Sequence, residues 1–397
     1  MVNILDKKDC VGCNGCVQCC PQQCISFNED EQGFRYPKVD TEKCVECGLC
    51  EKVCPVINQG DERKPLSVYA GYVLDKDILY KSSSGGIFSA LAHNVLRDGG
   101  IVFGARFDNE FNVIHDSVET IDDLSVLRGS KYVQSYIGEC YQRVKQCLKG
   151  GRQVLFSGTP CQIAGLKLFL GKEHENLLLV EVICHGVPSP RVWREYLTDI
   201  LKDSNQVVDN NISCSLKSKY NHIKKISFRD KRRGWEKSGF SITMSDLSEK
   251  YLSIHDNNYM QVFLRDFDLR PSCYSCPSKN GKSQSDIILG DFWRVSNLEP
   301  EAYSQDGTSL ILINTEKGEK AIIKAEVPLF ETVYSKALQS NESLVLSASI
   351  PKYYNFFWEN FYNEGITSLH KTLKCVKGDF LKRLVRYAKR RMNFLSK

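Results

Sequence analysis

The chain has 397 residues, of which 42% are hydrophobic and 25% charged, and its formal net charge is +5 at pH 7. This composition is typical of a globular protein with two or three domains, and so mild a charge does not indicate a nucleic-acid partner. We recognise no signal peptide and no apolar run near the roughly 20 residues of a membrane span, so we expect a cytoplasmic protein without a transmembrane segment. Eighteen cysteines in a reducing compartment favour metal ligation over disulfides.

Two cysteine runs near the start share the spacing C-x2-C-x2-C-x3-C-P. Bacterial ferredoxins with two 4Fe-4S clusters have this spacing, and the fourth cysteine of each run ligates the other cluster. The prediction therefore assigns one cluster to Cys10, Cys13, Cys16 and Cys54, and the other to Cys20, Cys44, Cys47 and Cys50. Zinc ribbons use two C-x2-C pairs at a wider separation. Cys19 and Cys24 do not fit the spacing and are interpreted as structural thiols.

The segment between the cysteine runs predicts a β-hairpin, with strands at 25–27 and 34–36 around a polar turn. After a polar linker at 60–65, strands and helices alternate as in an α/β layer. The predicted order is strand 68–73, helix 84–97, strand 101–105, helix 136–148, strand 154–156, helix 162–170, strand 177–183 and a helix after Pro188. Shorter strands dominate from about residue 212, with the clearest at 287–289 and 310–313.

Two motifs beyond the ferredoxin segment suggest chemistry. The small residues at 82–89 join a strand to a helix, where open backbone N–H groups favour an anion, although an ordinary helix cap explains them equally well. Four cysteines follow predicted strands or form a C-x2-C pair, namely Cys161, Cys184, Cys273 and Cys276. They suffice for a third 4Fe-4S cluster or a zinc ion, while Cys161 and Cys184 are equally well explained as buried packing residues.

The remaining candidates have weaker patterns. His185 is suited to metal ligation or proton transfer, but a lone histidine beside a Gly-Val-Pro turn is more often structural. The cysteines without partners at ligand spacing are interpreted as packing residues: Cys140, Cys147, Cys214 and Cys375. The stretch 380–397 has apolar and basic residues at helical spacing. Such a basic amphipathic helix contacts a membrane surface, an acidic partner or its own domain, and the sequence does not distinguish these.

Seven short segments, in their order along the chain, resemble the beta subunit family of coenzyme F420 hydrogenases and dehydrogenases. Relatives of that family include sulfite reductases that use the same coenzyme and the 7-hydroxymethyl chlorophyll a reductases. The resemblance extends from the first cysteine run to about residue 315. The segments are 84–88, 128–135, 158–162, 184–188, 228–231, 270–276 and 290–293.

The resemblance implies an FAD in the α/β domain with an iron-sulfur cluster beside it. Carried over position by position, the flavin neighbours are Ser84, Gly85, Gly86, Ser130, Lys131, Gly158 and Thr159. The implied ligands of a third 4Fe-4S cluster are Cys161, Cys184, Cys273 and Cys276. Lys131 is suited to stabilising negative charge on reduced flavin, and it forms the predicted catalytic set with His185. Asp291 and Trp293 line the same cleft, or else Phe292 and Trp293 belong to the core.

The expected fold class is α+β: a bacterial-type ferredoxin module at 1–58, then an α/β flavin-binding domain with a more strand-rich C-terminal part. We divide that domain into an N-terminal part at 66–150 and a C-terminal part at 151–330 with the third cluster. An extension at 331–397 ends in the basic amphipathic helix.

The functional hypothesis is an iron-sulfur flavoprotein oxidoreductase, which passes electrons between ferredoxin-type clusters and FAD. A hydride would then move to or from coenzyme F420 or another small organic acceptor. The expected partners are that small molecule and a redox protein, such as a ferredoxin or a hydrogenase or dehydrogenase subunit. The alternative is a non-catalytic electron-relay subunit that docks on a hydrogenase or dehydrogenase.

Overall fold

The computed structural model describes residues 6–202, 220 and 222–378, so that the predicted basic helix at 380–397 and Cys214 lie outside the described residues. The strands are β1 (Ile25–Glu29), β2 (Arg35–Val39), β3 (Ser67–Gly71), β4 (Ile101–Phe107), β5 (Val113–Val118), β6 (Val154–Gly158), β7 (Leu177–Val182), β8 (Ile223–Asp230), β9 (Gly239–Met244), β10 (Glu249–Leu252), β11 (Ile287–Asp291), β12 (Ser309–Ile313) and β13 (Leu329–Thr332).

Helices occur throughout the described chain. They are α1 (Gly15–Cys19), α2 (Leu49–Lys52), α3 (Lys76–Lys81), α4 (Ile87–Arg97), α5 (Cys140–Lys149), α6 (Pro160–Leu170), α7 (Pro190–Lys202), α8 (Asn258–Phe263), α9 (Val295–Leu298), α10 (Glu316–Lys324), α11 (Tyr334–Ser340), α12 (Tyr354–Glu364) and α13 (367–378). Among the residues that the structure describes, no helix is both long and apolar enough to cross a membrane.

An eight-stranded sheet forms the centre of the larger domain, in the order β13-β3-β12-β11-β7-β6-β4-β5. The four strands β11, β7, β6 and β4 are parallel to their neighbours within this set, so their carboxyl ends share one edge of the sheet. We call this edge the carboxyl edge. All five residues of β6 are buried, as expected for a parallel strand covered on both faces. Ligands of open α/β sheets bind at this kind of edge.

Helices cover both faces of the central sheet. On one face, α4 and α10 bury Ile87, Leu91 and Ile322 against strand residues such as Leu155 and Ile311. On the other face, α5 and α6 pack aromatic and aliphatic side chains against β4, β6 and β7: Tyr141, Val144, Ile163, Leu166, Phe103, Phe156 and Leu179. The core is therefore a three-layer arrangement, which follows from the alternation of strands and helices in the sequence.

A second, three-stranded antiparallel sheet has the order β10-β9-β8. Its core also receives side chains from α7, α8, α12 and α13, including Trp193, Tyr259, Phe357 and Leu369. Val133, from the loop before α5, also packs into this aromatic core. The C-terminal helices thus pack on the small sheet.

The N-terminal segment forms the predicted hairpin, in which β1 pairs antiparallel with β2 from Ile25–Val39 to Glu29–Arg35. The hairpin turn contacts the start of α7, where the hydroxyl of Ser189 donates to the carbonyl of Gln32. A ferredoxin-like segment followed by a larger domain of helices and sheets confirms the expected α+β class.

Two predicted helices begin later in the structure than expected, and one strand was not predicted. The helix expected from residue 136 begins at Cys140 because Tyr136 instead exchanges backbone hydrogen bonds with Val113 and His115 of β5. Strand β5 itself was not predicted. The helix expected from Ser84 begins at Ile87, because Gly86 takes a left-handed conformation (φ 83°) at its N-cap. The small residues 84–86 therefore form a turn at the carboxyl edge rather than the first helical turn.

Candidate iron-sulfur and flavin sites

The two cysteine runs have the same backbone conformation at matching positions. Gly12 and Glu46, the third residues of the runs, have φ of 72° and 52°, and the fifth residues, Asn14 and Gly48, have φ of 61° and 72°. Asn14 and Gly48 cap α1 and α2, which carry the third cysteine of each run. Glycine and asparagine adopt this left-handed conformation at lower cost than other residues. The sequence repeat is therefore also a structural repeat.

The first predicted ligand set is brought together around Cys13. Burial raises the pKa of the Cys13 thiol well above its ordinary value, and the charges of Cys16, Cys10 and Cys54 add to this rise. Cys54 belongs to the second run, so the structure places it beside the first three cysteines of the first run. Iron binds thiolates, and binding must therefore supply the free energy of deprotonating these thiols.

The second predicted set surrounds a pocket in the ferredoxin segment. Its cysteine lining consists of Cys20, Cys44, Cys47, Cys50 and Cys24. The sulfur of Cys24 lies 3.4 Å from that of Cys20, and this contact raises the pKa of Cys24 to about 11. The sequence analysis gave Cys24 no role at this site. The one feature of the sequence that could have indicated a role for Cys24 is its position four residues after Cys20, which does not match the ligand spacing.

The later four cysteines meet at the carboxyl edge. Cys161 is in the first turn of α6, directly after β6, and Cys184 follows β7 by two residues. Burial raises the pKa of Cys161 to about 12, with contributions from the charges of Cys276 and Cys273. Burial also raises the pKa of Cys184, with contributions from Cys273 and Cys161. We call these four residues the second cysteine group.

Among the described residues, neither the second cysteine group nor the ferredoxin segment has a preformed site for a single metal ion. In the described parts of the chain, no three His, Cys, Asp or Glu side chains are arranged to hold one metal ion. Zinc requires its sulfur ligands within about 2.3 Å of one point. A cluster separates its ligands by its own width, and soft thiolates are its usual donors.

The ferredoxin segment and the second cysteine group are joined by α6. A Cβ atom on Gly165 would lie 3.0 Å from both Cβ and Sγ of Cys13, so the helix approaches the ferredoxin loop as closely as glycine permits. Gly165 is four residues, or about one helical turn, beyond Cys161. Tyr141 is buried alongside and donates to the carbonyl of Gln162 at 2.7 Å. One helix thus contacts both cysteine sites.

Two of the three predicted flavin-neighbour segments are in contact. The hydroxyl of Ser83 accepts hydrogen bonds from the backbone N–H and hydroxyl of Ser130, at 2.6 and 2.9 Å. Ser84 donates to the carbonyl of Thr308 at 3.0 Å, and the N–H of Gly85 donates to the hydroxyl of Ser309 at 2.9 Å. These contacts place both segments at the carboxyl edge beside the start of β12.

The third flavin-neighbour segment, Gly158 and Thr159, is part of a buried polar network that extends to Ser135, four residues after Lys131. Gln162 donates to the hydroxyl of Ser135 at 2.9 Å, and that hydroxyl lies 2.9 Å from Nδ1 of His115. Nε2 of His115 lies 3.0 Å from the carbonyl of Ser157. A carbonyl only accepts, so Nε2 carries the proton and Nδ1 accepts from Ser135. The sequence analysis missed His115, because its partners are distant in sequence.

The two predicted catalytic residues lie in different surroundings. The amine of Lys131 donates to the carbonyls of Arg128 and Gly129 at 3.0 Å, within its own loop, and burial lowers its pKa to about 7. His185 pairs through Nε2 with Asp266, next to Cys184. The structure therefore places Lys131 with the flavin-neighbour segments and His185 with the second cysteine group.

A buried arginine at the carboxyl edge was not predicted as a site residue. Arg229 forms an ion pair with Asp291 at 2.8 Å, and its side chain is only 5% exposed. Its Nε and Nη2 groups have no hydrogen-bond partner among the described residues. The guanidinium lies over Trp293, which stacks on Trp235 at 5.3 Å between ring centroids. Phe292 is fully buried and belongs to the core.

Lys231 supports the turn at 84–86. Its buried amine donates to the carbonyls of Leu79 and Ser84, at 2.8 and 3.0 Å, and to that of Asp306. Burial lowers the pKa of this amine to about 8. Lys231 lies in one of the segments that carry the family resemblance, but its contacts with distant loops give no local pattern.

Comparison with known proteins follows the same division of the chain. Residues 151–332 match the C terminus of the coenzyme F420 hydrogenase/dehydrogenase beta subunit, and residues 9–58 match the 4Fe-4S dicluster domain. The chain carries a domain of this beta subunit family. The family resemblance seen in the sequence is thereby confirmed, as is a ferredoxin domain for two 4Fe-4S clusters. The chain thus joins a ferredoxin-type domain to a domain of this kind.

Two curated relatives match over most of the chain. The coenzyme F420-dependent sulfite reductase of Methanocaldococcus jannaschii is 24% identical over 380 residues, which cover 90% of this chain and 54% of that protein. The chain therefore spans about half the length of this relative. An uncharacterized protein of the same organism is 23% identical over 385 residues, or 87% of this chain and 92% of its own length.

A solved structure gives a weaker likeness. A chain of the F420-reducing [NiFe] hydrogenase complex from Methanosarcina barkeri is 19% identical and superposes with a TM-score of 0.40, covering 79% of this chain and 92% of that chain.

Proposed function

We propose that the protein is an iron-sulfur flavoprotein oxidoreductase. It exchanges single electrons at ferredoxin-type clusters and a hydride at an FAD bound at the carboxyl edge. The observation that carries the proposal is the contact between Cys13 and Gly165 on α6, one turn beyond Cys161. This contact brings the ferredoxin segment next to the second cysteine group within one chain.

The second cysteine group is the proposed site of a third 4Fe-4S cluster. Cys161, Cys184, Cys273 and Cys276 supply four half-buried thiols, each of which has a raised pKa. The backbone N–H of Val187 also points to the sulfur of Cys273, at 3.4 Å. Such N–H donors to sulfur raise the reduction potential of a cluster. The site therefore has both the ligands and a group that tunes them.

The carboxyl edge has the chemistry to hold FAD. The unpartnered Nε and Nη2 groups of buried Arg229 fit an anion, such as the pyrophosphate of a dinucleotide. The turn of Ser84, Gly85 and Gly86 lies against the loop of Ser130 and Lys131, so that small side chains and backbone N–H groups line this region. A bound FAD would supply the conversion between one-electron and two-electron transfer.

Lys131 and His185 are the proposed catalytic residues. With a pKa lowered to about 7 by burial, the amine of Lys131 can exchange a proton near neutral pH, or hold positive charge beside reduced flavin. His185 is held by Asp266 and is adjacent in sequence to Cys184 of the second cysteine group.

Coenzyme F420 is the proposed hydride carrier, because the family domain and one long relative both bear its name. A cytoplasmic redox protein is the proposed one-electron partner. The second candidate function is an electron-relay subunit without a substrate of its own. It is favoured by the match to the sulfite reductase, which accounts for only 54% of that protein, so the shared part need not carry its whole activity.

The first test measures iron, acid-labile sulfide and flavin per chain after anaerobic purification. We expect about 12 iron atoms and one FAD, since three 4Fe-4S clusters hold four irons each. A Cys273→Ser, Cys276→Ser double variant should retain about 8 iron atoms. The control variant is Cys147→Ser, in which the substituted residue lies on α5 and is not a predicted ligand. It should keep the full iron content. Wild-type protein with about 8 iron atoms and no flavin would contradict the proposal.

A second measurement separates the enzyme from the relay. Reduced coenzyme F420 is added to the isolated protein, and bleaching of the flavin and cluster absorbance is followed. Reduction without any other subunit supports hydride transfer by this chain. An unchanged spectrum, in protein that dithionite reduces, supports the relay subunit.

A further inference from the structure

Arg270 lies between the ferredoxin segment and the second cysteine group. The side chain is almost completely buried, with 1% of its surface exposed. Its Nε donates to the carbonyl of Cys10 at 2.6 Å, and its Nη2 donates to the carbonyl of Arg35 at 3.0 Å. On its other side, the carbonyl of Arg270 accepts from the N–H of Cys273 at 2.8 Å. One residue thus contacts a predicted ligand of each site.

The guanidinium has no acidic partner. Among the described residues, no carboxylate lies within ion-pair distance of Arg270, and its third donor, Nη1, bonds to the amide oxygen of Gln134 at 3.0 Å. The ring of Tyr36 lies 4.3 Å from the guanidinium carbon. A buried charge without a counter-charge is strongly unfavourable. Anions elsewhere must therefore balance it.

Arg270 borders both cysteine sites, and each site becomes anionic when its thiolates hold a cluster. The contact is direct at each site, through the carbonyl of Cys10 on one side and the N–H of Cys273 on the other. The first cysteine run is also shaped to admit the guanidinium. A Cβ atom on Gly12 would lie 2.8 Å from Nη1 of Arg270, so a larger residue would displace it.

Lys279 offers a contrast, because it faces the second cysteine group alone. This lysine is 7% exposed, and its amine donates to the carbonyl of Cys184 at 2.7 Å and to that of Ser343 at 2.6 Å. Its charge acts on the thiols of Cys184, Cys273 and Cys276. The two buried cations can therefore be compared within one protein.

We infer that Arg270 is a shared counter-charge for two clusters, the one at Cys10, Cys13, Cys16 and Cys54 and the one at the second cysteine group. A cluster held by four thiolates is net negative and becomes more so when it accepts an electron. A fixed positive charge nearby favours the reduced form, and therefore raises the reduction potential. Acting on both sites at once, Arg270 raises both potentials. The inference rests on the proposed function for the second of these clusters.

The experiment is a redox titration of the purified holoprotein, followed by electron paramagnetic resonance so that each cluster is assigned its own potential. In Arg270→Gln, two of the three potentials should fall, each by about tenfold in the equilibrium constant, which is about 59 mV for one electron. The cluster at Cys20, Cys44, Cys47 and Cys50 should keep its potential and serves as the internal control. Arg270→Lys retains the positive charge, so both potentials should remain close to their wild-type values.

A second variant leaves Arg270 in place. Gln134→Glu puts a carboxylate in the position of the amide that now accepts from Nη1, and should lower the same two potentials by neutralising the guanidinium. Lys279→Gln should lower the potential of the second cysteine group alone. The charge of Arg270 should thus affect two potentials, and the charge of Lys279 only one. A purely structural role of Arg270 would not produce this pattern.

Two results would overturn the inference. If Arg270→Gln or Gln134→Glu retains about 12 iron atoms but shifts only one potential or none, Arg270 is not shared, while the proposed function stands. If wild-type protein holds about 8 iron atoms, the third cluster is absent, and both the proposed function and the shared counter-charge fail.

Discussion

Single buried side chains connect the parts of the carboxyl edge. His115 bonds at both ring nitrogens, to Ser135 in the loop before α5 and to the carbonyl of Ser157 at the end of β6. The ring also stacks on Phe156 with 5.3 Å between centroids. These contacts are made by the neutral ring, because Nδ1 has to accept. Burial accordingly lowers the pKa of His115 to about 4.

His115 should make stability depend on pH. Its folded-state pKa of about 4 is below the ordinary 6.5, so its contribution is complete above pH 6.5 and is lost as the pH falls toward 4. At pH 5 the loss amounts to about 2 kcal/mol. Urea unfolding measures the free energy of unfolding at pH 7 and at pH 5. Between these two pH values, this free energy should change less in His115→Gln than in wild type. His93→Gln, on α4, is the control, and an equal change in both variants would contradict the assignment.

Gly165 is the residue at which helix and ferredoxin loop come closest. Gly165→Val should destabilise the protein by about 1–3 kcal/mol, because its side chain would overlap Cys13 and the hydroxyl of Tyr141. Gly150→Ala is the matched control, since a Cβ atom there meets only ordinary contacts at 3.5 Å and beyond. Chemical denaturation measures the free energy of unfolding of both variants. Equal stability of the two variants would show that α6 can move away from the loop at no cost.

At the level of elements, the turn at 84–86 depends on a lysine from a distant loop. Lys231→Met removes three hydrogen bonds to carbonyls and should cost about 1–3 kcal/mol. If this turn contacts FAD, the variant should also lose flavin while its iron content stays at the wild-type level. Lys224→Met, an exposed position on β8, is the control. Loss of iron together with flavin would instead indicate general unfolding.

The elements predicted from sequence are those with a strong local signal. The hairpin β1–β2, the buried strands β4, β6, β7, β11 and β12, and helices α4 and α6 all have apolar runs or helical periodicity within their own sequence. Strand β5 alternates weakly, as Val-Ile-His-Asp-Ser-Val, and exists because it pairs with β4 and with Tyr136. Its partners, rather than its own propensity, determine its conformation.

The same distinction applies to the candidate sites. The eight N-terminal cysteines have a diagnostic spacing, because short steps within one loop must reach one cluster. Arg229, Arg270 and Lys279 have no such spacing. Their roles depend on burial and on partners that are 60 or more residues away in sequence, such as Asp291 for Arg229 and Cys10 for Arg270. A single sequence shows that these residues are basic, but not that they are buried or which distant residues they contact.

On the scale of the whole molecule, the ferredoxin segment is fastened to the larger domain at several distant points. Arg194 on α7 pairs with Glu29, and Asn14 donates to the carbonyl of Gly138 at 2.9 Å. Gln142 on α5 donates to the carbonyl of Gln18 at 2.8 Å. The segment therefore packs on the larger domain through contacts to α5, α6 and α7, and is not tethered by the linker at 60–65 alone.

Helix α6 acts as a rigid spacer between Cys161 and the contact with Cys13. Four residues of helix advance about 6 Å along the axis, and the helix is fixed by a capping box at Thr159 and Gln162. With the proposed clusters bound at both sites, the rate of electron tunnelling between them would depend on this separation, which the backbone hydrogen bonds of α6 set. Movement of surface loops, changes in solvent viscosity and docking of a partner would leave that rate unchanged.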